Sequence, residues 1–241
     1  GTNLNWTYEK NEDYWDAENV ALEEINVEVI KETSTALNLY DSGQIDRVNL
    51  TGEFAKQYQD NADYTVETEA RTSYLQLNQE RDGKETLLAN ENLRKAIATS
   101  YDHDLLVNEI LANGSQKVGG LVPAELAANP TTGEDFRAES GDYLTFDKDA
   151  ANKYWEAAKS ELGTDTVTLE LLGDDDESNK KIGAYMKDQI ETNLPGVEIT
   201  LKNVPFKARL ELQTKQDYDL ALGGWGADFA DPVNFIDLMT S

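Results

Sequence analysis

The chain has 241 residues, 39% of them hydrophobic, enough to bury a sizeable core in one or two domains. Its 21 Lys and Arg against 47 Asp and Glu give a formal charge of −26, which repels nucleic-acid phosphate and anionic lipid and excludes nucleic acid as a natural partner. With no Cys and a single His, the chain cannot build a disulfide scaffold, a thiolate zinc site, a Cys nucleophile or a histidine cluster.

Gly1-Thr2-Asn3 is no export signal, and no run of about 18 apolar residues exists, so any signal or lipid anchor is expected upstream. After a polar-aromatic start (Trp6, Tyr8, Tyr14, Trp15), the alternation Ile25, Val27, Val29 predicts a strand. Thr33 to Ser42 reads as a helix with Ala36, Leu37 and Tyr40 on one face and Gly43 as its C-terminal stop. Gln44 to Val48 then reads as a strand, Thr51 to Tyr58 as a short helix, and Tyr64 to Thr68 as another short strand.

Arg71 to Asn78 predicts a strand with Tyr74, Gln76 and Asn78 on one face and Leu75 and Leu77 on the other. Residues 79–91 read as a polar loop. Two helices follow: Asn92 to Thr99, and His103 to Ala112 capped by Asp102, which leaves His103 exposed on the first turn. Residues 124–146 lack periodicity and read as a long surface loop.

From Asp147 the pattern is regular. Asp147 caps a helix that Gly163 ends, and Val167 to Leu172 is a strand. Ser178 caps a helix with Ile182, Tyr185, Met186 and Ile190 at helical spacing, stopped by Pro195-Gly196. Val197 to Val204, a helix over Phe206 to Thr214, and Tyr218 to Gly223 complete a strand-helix-strand-helix-strand series, which implies parallel pairing in an α/β fold.

The densest cluster of chemistry follows that last strand. Gly223-Gly224 marks a sharp turn or a close approach to the backbone, and Asp231-Pro232 opens a helix leading into Phe235, Ile236 and Leu238. Between them lie Trp225 and Asp228, just past the carboxyl end of a strand, where α/β proteins place ligand-facing groups. From the residues alone two readings stand: a ligand-facing indole and carboxylate, or a core aromatic and a turn-stabilising acid.

The segment Trp225-Gly226-Ala227-Asp228-Phe229-Ala230-Asp231-Pro232 resembles the Trp-x-Ala-Asp-(Tyr/Phe)-x-(Asp/Glu)-Pro element of the bacterial extracellular solute-binding proteins of family 5, which feed oligopeptides, dipeptides or nickel to ABC importers. Companion matches are Asn11 to Asp16 (with Glu12 where Pro is usual), Leu39 to Asp46, and Leu93 to Asp104. The resemblance implies a periplasmic-binding-protein-like (class II) lobe with a mixed, largely parallel sheet flanked by helices. It implies that residues 1–70 are part of a first lobe and 71–241 most of a second, the chain being a partial-length segment. It further implies capture of an oligopeptide between two lobes and delivery to permease subunits by a monomer at the cell surface or in the periplasm. Asp228 would take the peptide's α-ammonium, beside Trp225, Gly226, Ala227 and Phe229. Gly226 removes a side chain and widens the pocket. Tyr74 and Asn78 are ligand neighbours on the same implication, or simply part of a half-solvated strand. The Gly119 to Pro123 loop returns to the groove. Another solute on the same fold (dipeptide, nickel chelate, oligosaccharide) and a carboxylate-dependent hydrolase are the alternatives.

Other motifs fail on their own chemistry. Gly114 to Leu121 has phosphate-loop glycines, but Gly and Leu stand where Lys and Ser/Thr are required. Asp174 to Glu177 lacks the alternating ligands of an EF-hand loop and reads as a solvated turn. No cofactor or metal is implied, and no Gly-x-Ser-x-Gly elbow is present.

Overall fold

The computed structural model describes residues 5–239, so the Gly1 to Asn3 start lies outside the described residues. The chain divides into two compact units, residues 1–49 and 50–241. In the first, β1 (Asn5–Glu9) pairs antiparallel with β2 (Glu24–Glu28), Trp6 opposite Val27 and Tyr8 opposite Ile25. Helix α1 (Thr33–Asp41) buries Ala36 and Leu37 and stops at Gly43, whose φ of +70° suits glycine. The strand expected over Gln44 to Val48 is not formed; those residues are turn and irregular backbone.

The second unit opens with α2 (Gly52–Tyr58), and Tyr64 to Thr68, expected as a strand, is irregular. No strand among the described residues pairs with either segment, and β-branched residues do not hold an extended backbone without a ladder. β3 (Arg71–Leu77) follows as expected. The predicted polar loop contains a hairpin, β4 (Glu80–Arg81) and β5 (Lys84–Glu85). Its turn is Asp82-Gly83, with φ of +51° and +72°, the double positive-φ geometry that an Asp-Gly pair tolerates.

Helix α3 (Glu91–Thr99) is capped by Asn90, whose Oδ1 accepts from Leu93 N at 2.8 Å. Asp102 caps α4 (His103–Leu105) as expected, but the next residues, Leu106–Leu111, continue as a π-helix that ends where Ala112 turns left-handed. His103 is half-buried rather than exposed, its ring 4.4 Å from that of Tyr101. α5 (Phe136–Ser140) interrupts the long loop.

The remaining elements are α6 (Lys148–Leu162), β6 (Val167–Asp174), α7 (Glu177–Asn193), β7 (Val197–Val204), α8 (Phe206–Thr214), β8 (Leu220–Gly226) and α9 (Val233–Ile236). Asp147 caps α6 through a 2.9 Å bond from Ala150 N, and Gly163 ends it at a φ of +69°. The cap of α7 is Asp176, two residues before the expected Ser178. Its carboxylate takes both Asn179 N at 3.0 Å and Asn179 Nδ2 at 2.6 Å, a better acceptor than a single hydroxyl.

The sheet order is β3-β8-β6-β7, with β6 parallel to β7 and β8, and β3 antiparallel to β8. The strand-helix-strand series therefore pairs as its spacing requires, giving the expected mixed, largely parallel sheet. One face buries Leu169, Leu171, Ile199 and Leu220 against Trp155 of α6, Met186 and Ile190 of α7, and Ile97 of α3. Fully burying side chains of this size contributes about 1.5–3 kcal/mol each. Trp155 also donates its indole N–H to Pro195 O at 2.8 Å, tying α6 to the α7–β7 turn. The opposite face buries Leu172, Tyr218 and Ala221 with Leu212 of α8.

Candidate functional site

The site is built where β8 leaves the sheet. Its antiparallel partner, β3, pairs Tyr74 with Gly223, Ser73 with Gly224, Thr72 with Trp225 and Arg71 with Gly226, so the strand runs three residues past Gly223. Close approach, not a turn, explains the two glycines. A Cβ at Gly223 would lie 3.1 Å from Tyr74 Cε2, and one at Gly224 would lie 3.3 Å from Arg71 Nη2. A Cβ at Gly226 would meet nothing within 4 Å, so the missing side chain there leaves open space.

Alternation along the ladder puts Tyr74 and Trp225 on one face of the sheet, two pairs apart. The Trp225 ring packs with Ala227, Leu121 and Phe136 against a small cluster of Val122, Leu126 and Phe235, the last fully buried. The 119–123 loop thus supplies part of the floor under the indole. The Trp225 indole N–H donates to Asn234 Oδ1 at 2.8 Å, and the backbone N–H of Asp228 donates to the same oxygen at 3.2 Å. Asp231 Oδ1 accepts from Val233 N at 2.8 Å, which starts α9.

Beyond this frame the Asp228 side chain is exposed, and Phe229 is 56% exposed. No cation among the described residues forms an ion pair with the Asp228 carboxylate. An exposed carboxylate beside an anchored indole offers one anionic acceptor and one flat apolar surface.

Tyr74 is half-buried, and burial raises its phenol pKa against the lowering pull of Arg209 and Arg71. Arg209, itself buried, donates to Asp174 Oδ1 at 2.7 Å and to Gln213 Oε1 at 2.5 Å, and Gln213 Nε2 donates to Gln76 Oε1 at 3.0 Å. Asp174 and Asp176 of the acidic run are therefore engaged in an ion pair and a helix cap.

Asn78 sits differently from the other expected residues. It is buried, and its side-chain amide donates to Gln216 O at 2.8 Å and Tyr218 O at 2.9 Å, so its amide donors are committed within the protein. It supports the strands that carry the site. Sequence reasoning passed over Asn234, whose only signal is a polar residue inside the apolar run Val233 to Ile236.

The model of the bacterial extracellular solute-binding proteins, family 5 (middle region), matches residues 2–241. The chain belongs to this family. Like it, a dipeptide-binding protein of Lactococcus lactis subsp. cremoris is 31% identical over 250 residues, covering 100% of this chain and 45% of that protein. The solved structure of Listeria monocytogenes OppA bound to peptide superposes with a TM-score of 0.95 at 42% identity, covering 99% of this chain and 47% of that one. The substrate-binding domain of an oligopeptide ABC transporter from Bacillus anthracis gives a TM-score of 0.93 at 47% identity, covering 99% and 46%. The family 5 chain thus has the periplasmic-binding-protein-like fold and spans a little under half the length of these relatives. Among its described residues, no helix is long and apolar enough to cross a membrane.

Proposed function

We propose that the chain is part of the substrate-binding component of an ABC importer, which captures extracellular oligopeptides and delivers them to permease subunits. The observation that carries this is the unpaired, exposed Asp228 carboxylate held past the end of β8 beside the anchored Trp225. A generic peptide offers a main chain, an α-ammonium and variable side chains. Asp228 pairs with the ammonium and sets the register, while Trp225, Ala227 and Phe229 supply apolar surface. Gly226 leaves room for the first side chain, and Tyr74 lines the same sheet face. Truncating one partner of a desolvated charge pair typically costs about 2–5 kcal/mol. An extended peptide satisfies its backbone groups against protein strands whatever its sequence, and wet side-chain pockets keep the site permissive.

The same proposal assigns residues 1–70 to a first lobe and 71–241 to most of a second in a longer, monomeric protein. That protein binds without turnover and works at the cell surface on a lipid anchor or in the periplasm. The relatives' names, a peptide-bound OppA and a dipeptide-binding protein, support a peptide as the solute. Native mass spectrometry of the full-length protein purified without added ligand tests this. Co-purifying peptides are the expected result; a nickel chelate or a sugar in their place would overturn the choice of solute.

A further inference from the structure

We infer that Asn234 is a positioning residue, whose one side-chain oxygen fixes the carboxylate-bearing loop and the indole in a set relation; this rests on the peptide-binding reading above. Both groups within reach of Asn234 Oδ1 are obligate donors: the indole N–H of Trp225 at 2.8 Å and the backbone N–H of Asp228 at 3.2 Å. An indole N–H and a peptide N–H accept nothing, so only the carbonyl end of the Asn side chain can face them, and the amide's orientation is settled by chemistry.

The oxygen is itself held in place. Phe235, the next residue, is fully buried in the cluster with Val122 and Leu126, and the Asn234 backbone N–H donates to Asp231 O at 3.1 Å. A short helix anchored by a buried phenyl ring thus aims one acceptor back at the loop that precedes it. Among the described residues no hydrogen bond or ion pair holds the exposed Asp228 carboxylate, so its placement comes from its backbone, and Asn234 holds that backbone N–H. A carbonyl oxygen can accept two hydrogen bonds, so both contacts form at once. Losing the acceptor releases the indole and the amide together, and ordering them again on binding would weaken the complex.

Two variants and two readouts test this in the full-length protein. Asn234→Ala removes the acceptor; Asn234→Asp keeps an oxygen at the same place. Hydrogen exchange without ligand should show the Asp228 amide at least tenfold faster in Asn234→Ala and restored in Asn234→Asp. Unchanged exchange in Asn234→Ala would overturn the inference whatever the protein binds. Calorimetry should show affinity for a peptide with a free amino terminus falling about tenfold in Asn234→Ala, the equivalent of losing one to two ordinary hydrogen bonds, and recovering in Asn234→Asp. Amino-terminally acetylated peptide, which still packs on the indole but does not pair with Asp228, should lose clearly less affinity in Asn234→Ala than the free-amino peptide. An equal loss for both peptides, without rescue by Asn234→Asp, would make Asn234 merely structural and overturn the inference. Faster exchange at Asp228 together with no peptide binding by the wild type would sustain the local geometry and defeat the functional reading alone.

Discussion

The side-chain amide of Asn78 donates a 2.9 Å hydrogen bond to the carbonyl oxygen of Tyr218, across 140 positions of sequence. A second bond to Gln216 O at 2.8 Å and a backbone bond from Asn78 N to Asp219 O at 2.9 Å tie the end of β3 to the entry of β8. The strand that carries Trp225 and the strand that carries Tyr74 are thus set in register at the end opposite the site.

Removing this brace should destabilise the protein without touching the site chemistry. Asn78→Ala leaves the carbonyl of the buried Tyr218 without its side-chain donor, while the carbonyl of the exposed Gln216 keeps Arg81 Nε at 3.3 Å, a loss of about 1–3 kcal/mol. Denaturant unfolding should show the shift in midpoint with the slope unchanged. Stability equal to wild type would mean that the brace is dispensable.

Gly226 gives a different kind of test. A Cβ there meets no atom within 4 Å, so Gly226→Leu should leave the unfolding midpoint within about 1 kcal/mol of wild type. If the open space takes the first side chain of a peptide, peptides with a bulky first residue should lose about 1–3 kcal/mol of affinity by overpacking, and those beginning with glycine much less. Calorimetry on such a pair of peptides checks it, and equal losses would count against the pocket.

His103 makes stability depend on pH. Burial, and then the Lys117 cation, lower its pKa below the ordinary 6.5, with Asp102 and Asp104 opposing. Below pH 6.5 the unfolded chain takes up a proton that the folded chain refuses, so stability falls as pH drops from 6.5 toward the lower folded value. The stability contributed by carboxylates that their partners lower, Glu191 by Lys187 among them, is fully present above their ordinary 4.5 and is lost only below it. Between pH 7.5 and 5.5 the wild type should therefore lose more stability than His103→Asn. Parallel curves would contradict the assignment.

Much of this architecture was legible because its signals are local. The caps at Asp102 and Asp147 and the stop at Gly163 are short-range chemistry, and the parallel strands follow from helices spaced between them. The extension of β8 to Gly226 was not legible, because its cause is β3, some 150 residues earlier in the chain. Gln44 to Val48 and Tyr64 to Thr68 mislead for the converse reason: their composition favours a strand, but no strand among the described residues supplies a ladder. The hairpin at Asp82-Gly83 carries its turn signal in the sequence, but strands of two residues each are too short to show an alternating pattern. At the site, the contiguous residues Trp225 to Phe229 carry their signal together, whereas the burial of Asn78 depends on partners 138 and 140 positions away, and the reach of Asn234 to Trp225, only nine positions back, depends on how the short helix after Pro232 folds against the loop.

The central claim concerns the Asp228 carboxylate, and calorimetry of Asp228→Asn in the full-length protein tests it most directly. Peptides with a free amino terminus should lose about 2–5 kcal/mol of binding energy, while amino-terminally acetylated peptides should bind both proteins equally. Unchanged affinity of Asp228→Asn for the free-amino peptide would contradict the account.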